Sequence, residues 1–331
     1  MKLIRLALFL LVTHTPDIVF AQPNISPEQV CEQVKAIEFP VQDKPDISTI
    51  QALSGCNSED LYYGINQVAD WKHARACAYA EISRGPDGPF EGPAILMMIY
   101  ANGNGVNRNY DLAIKLACEI GGATAELQGR LRHLLQMKQL NADVKDLDIC
   151  DHVTSGMMMN FCSIHREIIR QQERAAQLTK LTKSWTESEN KAFSLLTQSA
   201  NGFFNARRDK EVDGSGTAYG AMMVEEEASL KDDFLAALQS FDAGRTPSFN
   251  TQQCAKADAK LNTVYKKILA RKNFSWGTVY QNSIKETQRE WLKYRDAWVK
   301  FGSIKYPDVT ADSWKTYWTQ KRIEMLQQFL N

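Results

Sequence analysis

An all-α fold is what this sequence predicts, and three observations predict it. From about residue 59 to the C-terminus, apolar residues recur at three- and four-residue spacing, the period of a helix buried along one face. Alternating apolar and polar runs of the kind that form half-buried strands are scarce. Prolines gather near the start, at Pro23, Pro27, Pro40 and Pro45, and thin out afterwards, leaving long stretches without a helix breaker.

The first residues carry an address. Lys2 and Arg5 precede a short apolar run, Leu6 to Val12, and Val19-Phe20-Ala21 forms a small-residue site before Gln22. This is the pattern of a secretory signal peptide, residues 1–21, cleaved after Ala21. The apolar run falls short of the roughly 18 residues that a spanning helix needs, and no later stretch reaches it, so the mature chain is expected to be soluble, without membrane insertion. Cys31 lies too far from the cleavage site to carry a lipid anchor. The 39 basic and 39 acidic residues balance, which leaves no electrostatic footprint for nucleic acid and no polybasic surface for lipid headgroups.

Export to an oxidising compartment makes disulfides the expected state of the cysteines. There are seven: Cys31, Cys56, Cys77, Cys118, Cys150, Cys162 and Cys254. An odd number leaves one unpaired in a monomer. Cys254, about ninety residues from its nearest neighbour, is the expected odd thiol, with the other six as disulfide candidates in a connectivity that sequence leaves open. Cys150-x-His152 and Cys162-x-x-His165 also offer four zinc-type ligands. The Cys-x-His spacing is tighter than in ordinary zinc modules, and a Cys150–Cys162 disulfide beside two solvated histidines is the preferred reading. No metal, no cofactor and no catalytic residue is expected. Cys162 and His165 lack an orienting third group, and the Glu225-Glu226-Glu227 and Asp232-Asp233 runs read as solvated helix faces.

Residues 22–58 read as a partly ordered leader arm, and residues 59–146 as a helical repeat region. Within the latter, Ala94 to Ala113 describes a helix, a turn punctuated by Gly103 and Gly105, and a second helix. Leu96, Tyr100, Gly103, Gly105, Val106, Tyr110 and Ala113 stand where the Sel-one-like repeat, a relative of the tetratricopeptide solenoids, has its marker residues, and the segment resembles that repeat. Met97 replaces a small glycine of the repeat, which implies looser packing there. Leu61 to Cys77 is similar to an eroded preceding copy. Two copies make a short solenoid.

The C-terminal half carries a weaker duplication. Cys162, a polar helix and then Phe204 to Asp209 parallel Cys254, a helix and then Trp291 to Asp296, and each copy closes on an amphipathic helix, Ala228 to Phe241 and Ser313 to Leu330. Two helical modules follow, 147–245 and 246–331. The second holds five of the seven tryptophans. Leu261, Val264, Tyr265, Ile268 and Leu269 form one helical stripe, Trp291, Tyr294, Trp298 and Phe301 another, and Trp314, Tyr317 and Trp318 lead a third. Aromatics at helical spacing ordinarily form core. The functional reading is a partner-facing groove of Trp291, Tyr294, Trp298, Trp314 and Trp318 with Arg295 and Asp296 among them, because Trp, Tyr and Arg dominate interface hot spots.

Cys254 to Ala270, Gln288-Arg-Glu-Trp291-Leu-Lys-Tyr294-Arg295-Asp296-Ala and Lys321-Arg322 together resemble the LprI-type domain of lysozyme-inhibitor lipoproteins. The likeness covers roughly the last eighty residues. Cys150 to Cys162 is similar to that family's paired-cysteine opening, making 147–245 a degenerate second module. Val299 stands where the family commonly has another cysteine, so the final module is expected to lack a disulfide. The resemblance implies a helical, non-enzymatic, periplasmic or secreted protein that binds a protein partner of the cell envelope, with lysozyme the named candidate. A helical adaptor or structural protein of the envelope, in which the aromatics are all core, is the alternative.

Overall fold

Ser26 opens the first helix by accepting from the Gln29 backbone N–H while the Gln29 side chain accepts from the Ser26 N–H, a capping box with Pro27 in the first turn. Helix therefore begins well before residue 59, inside the segment whose prolines argued for irregular chain. The computed structural model describes residues 26–85, 88–140 and 145–330; the signal-peptide reading lies outside the described residues. Thirteen α-helices follow one another among them, and no strand forms beyond an isolated Trp276–Val279 bridge.

The first seven are short: α1 Pro27–Val34, α2 Ile47–Ala52, α3 Ser58–Tyr63, α4 Trp71–Arg84, α5 Pro93–Asn102, α6 Tyr110–Ile120 and α7 Thr124–Leu140. Of these, α3, α4 and α6 pack on α5, which is buried on all sides from Ala94 to Ala101, as an apolar-all-round helix must be. Met97 is fully enclosed there, so the site expected to pack loosely does not. Gly103 ends α5 at φ +75°, with Gly105 at φ +71° in the turn that follows. Both are conformations that suit glycine, and they return the chain into α6 as a helical hairpin. Glu81, buried within α4, accepts from the Ser58 N–H at 2.8 Å and the Gly92 N–H at 2.7 Å, satisfying orphan donors at the starts of α3 and α5.

Three disulfides fasten this part, and they use the six expected cysteines. Cys31–Cys118 joins α1 to α6 across 87 residues, Cys56–Cys77 joins the approach to α3 with α4, and Cys150–Cys162 pins the loop before α8 (Gly156–Thr182) to its second turn. Cys254 remains a buried free thiol. The zinc alternative at Cys150, His152, Cys162 and His165 is thereby removed, since both thiols are consumed. The histidines are not solvated as the sequence reading had them. His165 is buried, with Nδ1 2.5 Å from Glu59 and its ring stacked on Phe90. His152 lies against His133, its Nε2 3.0 Å from His133 Nδ1.

The 27 residues of α8 link two cores. Met158 and Cys162 belong to the first, while Leu178 and Leu181 pack on the second. That second core lies among α9 (Glu187–Lys210), α10 (Tyr219–Asp242), α11 (Thr251–Ala270), α12 (Gln281–Lys305) and α13 (Ala311–Gln327). Helices α9 and α12 run along each other, with Phe203 stacked on Tyr294 at 5.3 Å. The two stretches that sequence duplication separates, 147–245 and 246–331, thus contribute to one apolar cluster. A charge network lies within it. Glu211, just beyond α9, accepts two bonds from the Arg322 guanidinium of α13, at 2.6 and 2.8 Å, and another from Arg207 at 2.5 Å. Arg322 also donates to Gln288 of α12, and Arg207 to Glu226 of α10.

Burial alone would raise the Glu211 pKa, but Arg322 and then Arg207 offset it, and the net shift is downward from 4.5. A carboxylate lowered in this way stabilises the fold fully above its unfolded value and loses that contribution as pH falls through the folded one. The urea midpoint is therefore expected to fall steeply with acidification below the ordinary glutamate range. Glu211→Gln should cost about 3–5 kcal/mol at pH 7, because the buried Arg322 guanidinium loses its anion and Arg207 keeps only Glu226, and should flatten the pH slope; chemical denaturation at pH 7 and pH 3 reads both effects.

Candidate functional site

The aromatic constellation of the last three helices is interior. Trp291, Tyr294, Trp298, Trp314 and Trp318 are all buried. Trp298 is stacked between Trp318, at 4.7 Å, and Trp314, at 6.0 Å, and Phe241 of α10 closes the edge of Trp314 at 4.9 Å. A side chain at Gly302, in the last turn of α12, would run into the Trp314 indole, so the glycine is what lets α13 seat that ring. These five side chains are core, because helices this long bury their widest apolar residues where three meet.

Arg295 and Asp296 lie elsewhere. The Arg295 guanidinium stacks over the outer face of Trp291 at 5.2 Å, bonds Asp296 at 3.1 Å and reaches to 3.6 Å from Asp258 of α11. Asp296 is largely in water, whereas Arg295 is mostly covered. Arg208 makes the same neighbour bond to Asp209 at 2.7 Å in α9, the position that the duplication pairs with Arg295.

Two depressions open where helices are held apart by their side chains. One, of about 240 Å³, lies between α10 and α13, over a floor that includes Phe203, Phe234, Tyr294 and Trp318, with Asp233 and Lys321 in its lining. Three of the expected site residues, Trp291, Tyr294 and Trp318, line it. Burial raises the Tyr294 pKa, which keeps its phenol neutral. The other, of about 340 Å³, lies between α11 and α12 and mixes charged side chains with apolar ones such as Leu261 and Leu292. Asp258, Asn262 and Tyr265 come from α11, and Lys285, Arg289, Leu292 and Arg295 from α12.

In that second groove three cations face one carboxylate. Arg295 is partly engaged by Asp258, while Lys285 and Arg289 are exposed and make no ion pair among the described residues. Such a surface favours an acidic partner and adds chiefly to association rate and orientation. Sequence reasoning gave Lys285 and Arg289 no role, read Tyr265 as part of an apolar stripe and took Asn262 only as part of the LprI-like segment. The available signal was spacing, since Lys285, Arg289 and Leu292 stand at i, i+4 and i+7 on the face of α12 away from the tryptophans.

A family model described as lysozyme inhibitor LprI matches residues 248–326, about a quarter of the chain, which takes in α11, α12 and α13 and so both walls of the cationic groove. The likeness to that family at the C-terminus stands on this match; it does not extend to the hairpins of α3 to α6. No curated protein matches the chain, and no solved structure does. Disulfides and the LprI match both fit an extracytoplasmic protein, and no helix among the described residues is long and apolar enough to cross a membrane.

Burial decides how the two kinds of site residue respond to truncation. Trp298→Ala should lower stability by about 3–5 kcal/mol through the cavity it leaves. Arg295→Ala should cost less, about 1–2 kcal/mol, since its ion-pair partners are near solvent and the loss is chiefly of its cover over Trp291; thermal and urea unfolding of both variants checks the contrast.

Proposed function

We propose that this protein is an exported binder of an envelope protein, acting as an inhibitor of lysozyme through its C-terminal helices. The signal-peptide pattern at residues 1–21 directs it to the periplasm or the medium, where its disulfides persist. The LprI match over residues 248–326 carries the reading. The cationic groove between α11 and α12, inside the matched region, supplies a contact surface with suitable chemistry. A lysozyme cleft holds two carboxylates flanking the scissile bond, and a blocker offering unpaired cations complements that charge, with Lys285 and Arg289 in that role. Under this proposal Arg295 positions the groove by spanning it to Asp258, and the buried tryptophans hold α11, α12 and α13 in register.

A second reading rests on the burial of the aromatics. With Trp291, Tyr294, Trp298, Trp314 and Trp318 all in the core, the C-terminal helices become a scaffold, and the α3–α6 hairpins, read as Sel-one-like repeats, supply an adaptor surface.

The full mature chain, residues 22–331, is the reagent for testing this, because α12 and α13 lean on α9 and Glu211. Titrated oxidised against lysozyme on a cell-wall substrate, it should inhibit saturably near one-to-one stoichiometry. Charge reversal at both Lys285 and Arg289 should weaken inhibition by roughly tenfold or more, with a steeper loss at low salt than at high. Full lysozyme activity beside a large excess of folded protein removes lysozyme as the partner and favours the adaptor reading.

A further inference from the structure

Along the outer face of α8, four large apolar side chains stand in water. Met157 is 64 % exposed, Phe161 42 %, Ile164 50 % and Ile168 38 %. Their spacing, four, three and four residues, is that of a helix–helix seam and keeps all four on one narrow stripe. The intervening Cys162 and Ser163 turn inward and are buried, so the stripe is a separate face of the helix and not the edge of the core. Its margins are neutral amides. Asn160 is tied to the start of α10 through Thr217 O and Ala221 N, and Gln172 accepts from the Asn66 N–H.

The pattern is its own reverse. Turning the helix end for end about a point between Cys162 and Ser163 places Met157 on Ile168 and Phe161 on Ile164. The same reversal sets Arg166 against Met159 and Arg170 against Ser155, so no like charges meet. A twofold contact requires this property, since one patch must complement itself. The chain's formal net charge of zero adds no long-range repulsion between copies.

From these observations we infer that α8 packs antiparallel against α8 of a second copy of this chain, pairing Phe161 with Ile164 across a twofold axis. The four side chains offer on the order of 400 Å² of apolar surface per copy, at the scale where a patch on a monomer marks an interaction site. Tyr219 and Met222, exposed on the first turn of α10, widen it. Twice that area is below the ~1,200 Å² of stable interfaces, so the pair is a weak, concentration-dependent dimer. A membrane surface is the less suitable occupant, because interfacial helices carry Lys and Arg along the margins of their apolar face.

Sedimentation equilibrium of the full mature chain from about 1 µM to about 1 mM tests this. A reversible monomer–dimer equilibrium is expected for the native sequence. Phe161→Glu and Ile164→Lys, each with unchanged helicity and melting temperature, should be monomeric when measured alone. An equimolar mixture of the two should recover dimer, because the antiparallel register sets the new Glu against the new Lys. A native chain monomeric throughout, a dimer that survives both substitutions, or monomeric variants that the mixture does not rescue would each overturn the inference. Flotation of a monomeric protein with neutral phosphatidylcholine vesicles would overturn it in favour of a lipid surface.

Discussion

Everything in the C-terminal half is arranged around one buried ion pair, the fork between Arg322 and Glu211. Both side chains are fully removed from water, and neither could be left there alone, since an unpaired buried charge costs several kcal/mol. Glu211 sits at the end of α9 and Arg322 two-thirds of the way along α13. With Gln288 and Arg207 completing the network, α9, α12 and α13 have one relative placement that satisfies every member. Apolar packing alone tolerates small slides between helices, whereas a two-pronged guanidinium–carboxylate bond does not.

That fixed placement leaves gaps as well as contacts. Helices α9 and α12 lie together along their lengths, and α13 bridges α12 and α11. The crevice between α10 and α13 and the groove between α11 and α12 remain open on either side of this packed centre. The family likeness covers α11 to α13, yet the side chains that hold those helices in place come partly from α9 and α10, through Glu211, Phe203 and Phe241. A binding surface made by the matched region is therefore set by residues outside it. The first core is secured differently. Its helices are short, and three disulfides together with Glu81 replace what longer helices achieve by side-chain packing.

Much of this was legible in the sequence, for reasons that differ by residue. The helical class followed from apolar period, and Cys254 as the odd thiol from its isolation. The LprI likeness followed from the Trp291 to Asp296 run and its neighbours. The ordinary reading of the tryptophans as core was also available from their spacing alone. The α1 helix was missed because proline counts against a helix in general and for it in the first turn, and Ser26-Pro27 with Gln29 is the case in which the second rule governs. His165 was read as solvated because nothing local announces a partner; Glu59 is brought to it by tertiary packing from 106 residues away. The cationic groove was missed for a related reason. Lys285 and Arg289 look like any solvated helix face until α11 is seen beside them, and only the fold shows that Asp258 and Arg295 close one end.

Hydrogen exchange of the full oxidised chain, with and without excess lysozyme, addresses the central claim most directly, because it reports where a partner sits without relying on inhibition. Slower exchange confined to α11 and α12 around Asn262 and Arg289, with the Trp298 and Trp314 segments unchanged, is the result expected from binding through the cationic groove. Protection over the α3–α6 hairpins with none at α11 and α12, or no protection anywhere, would contradict it.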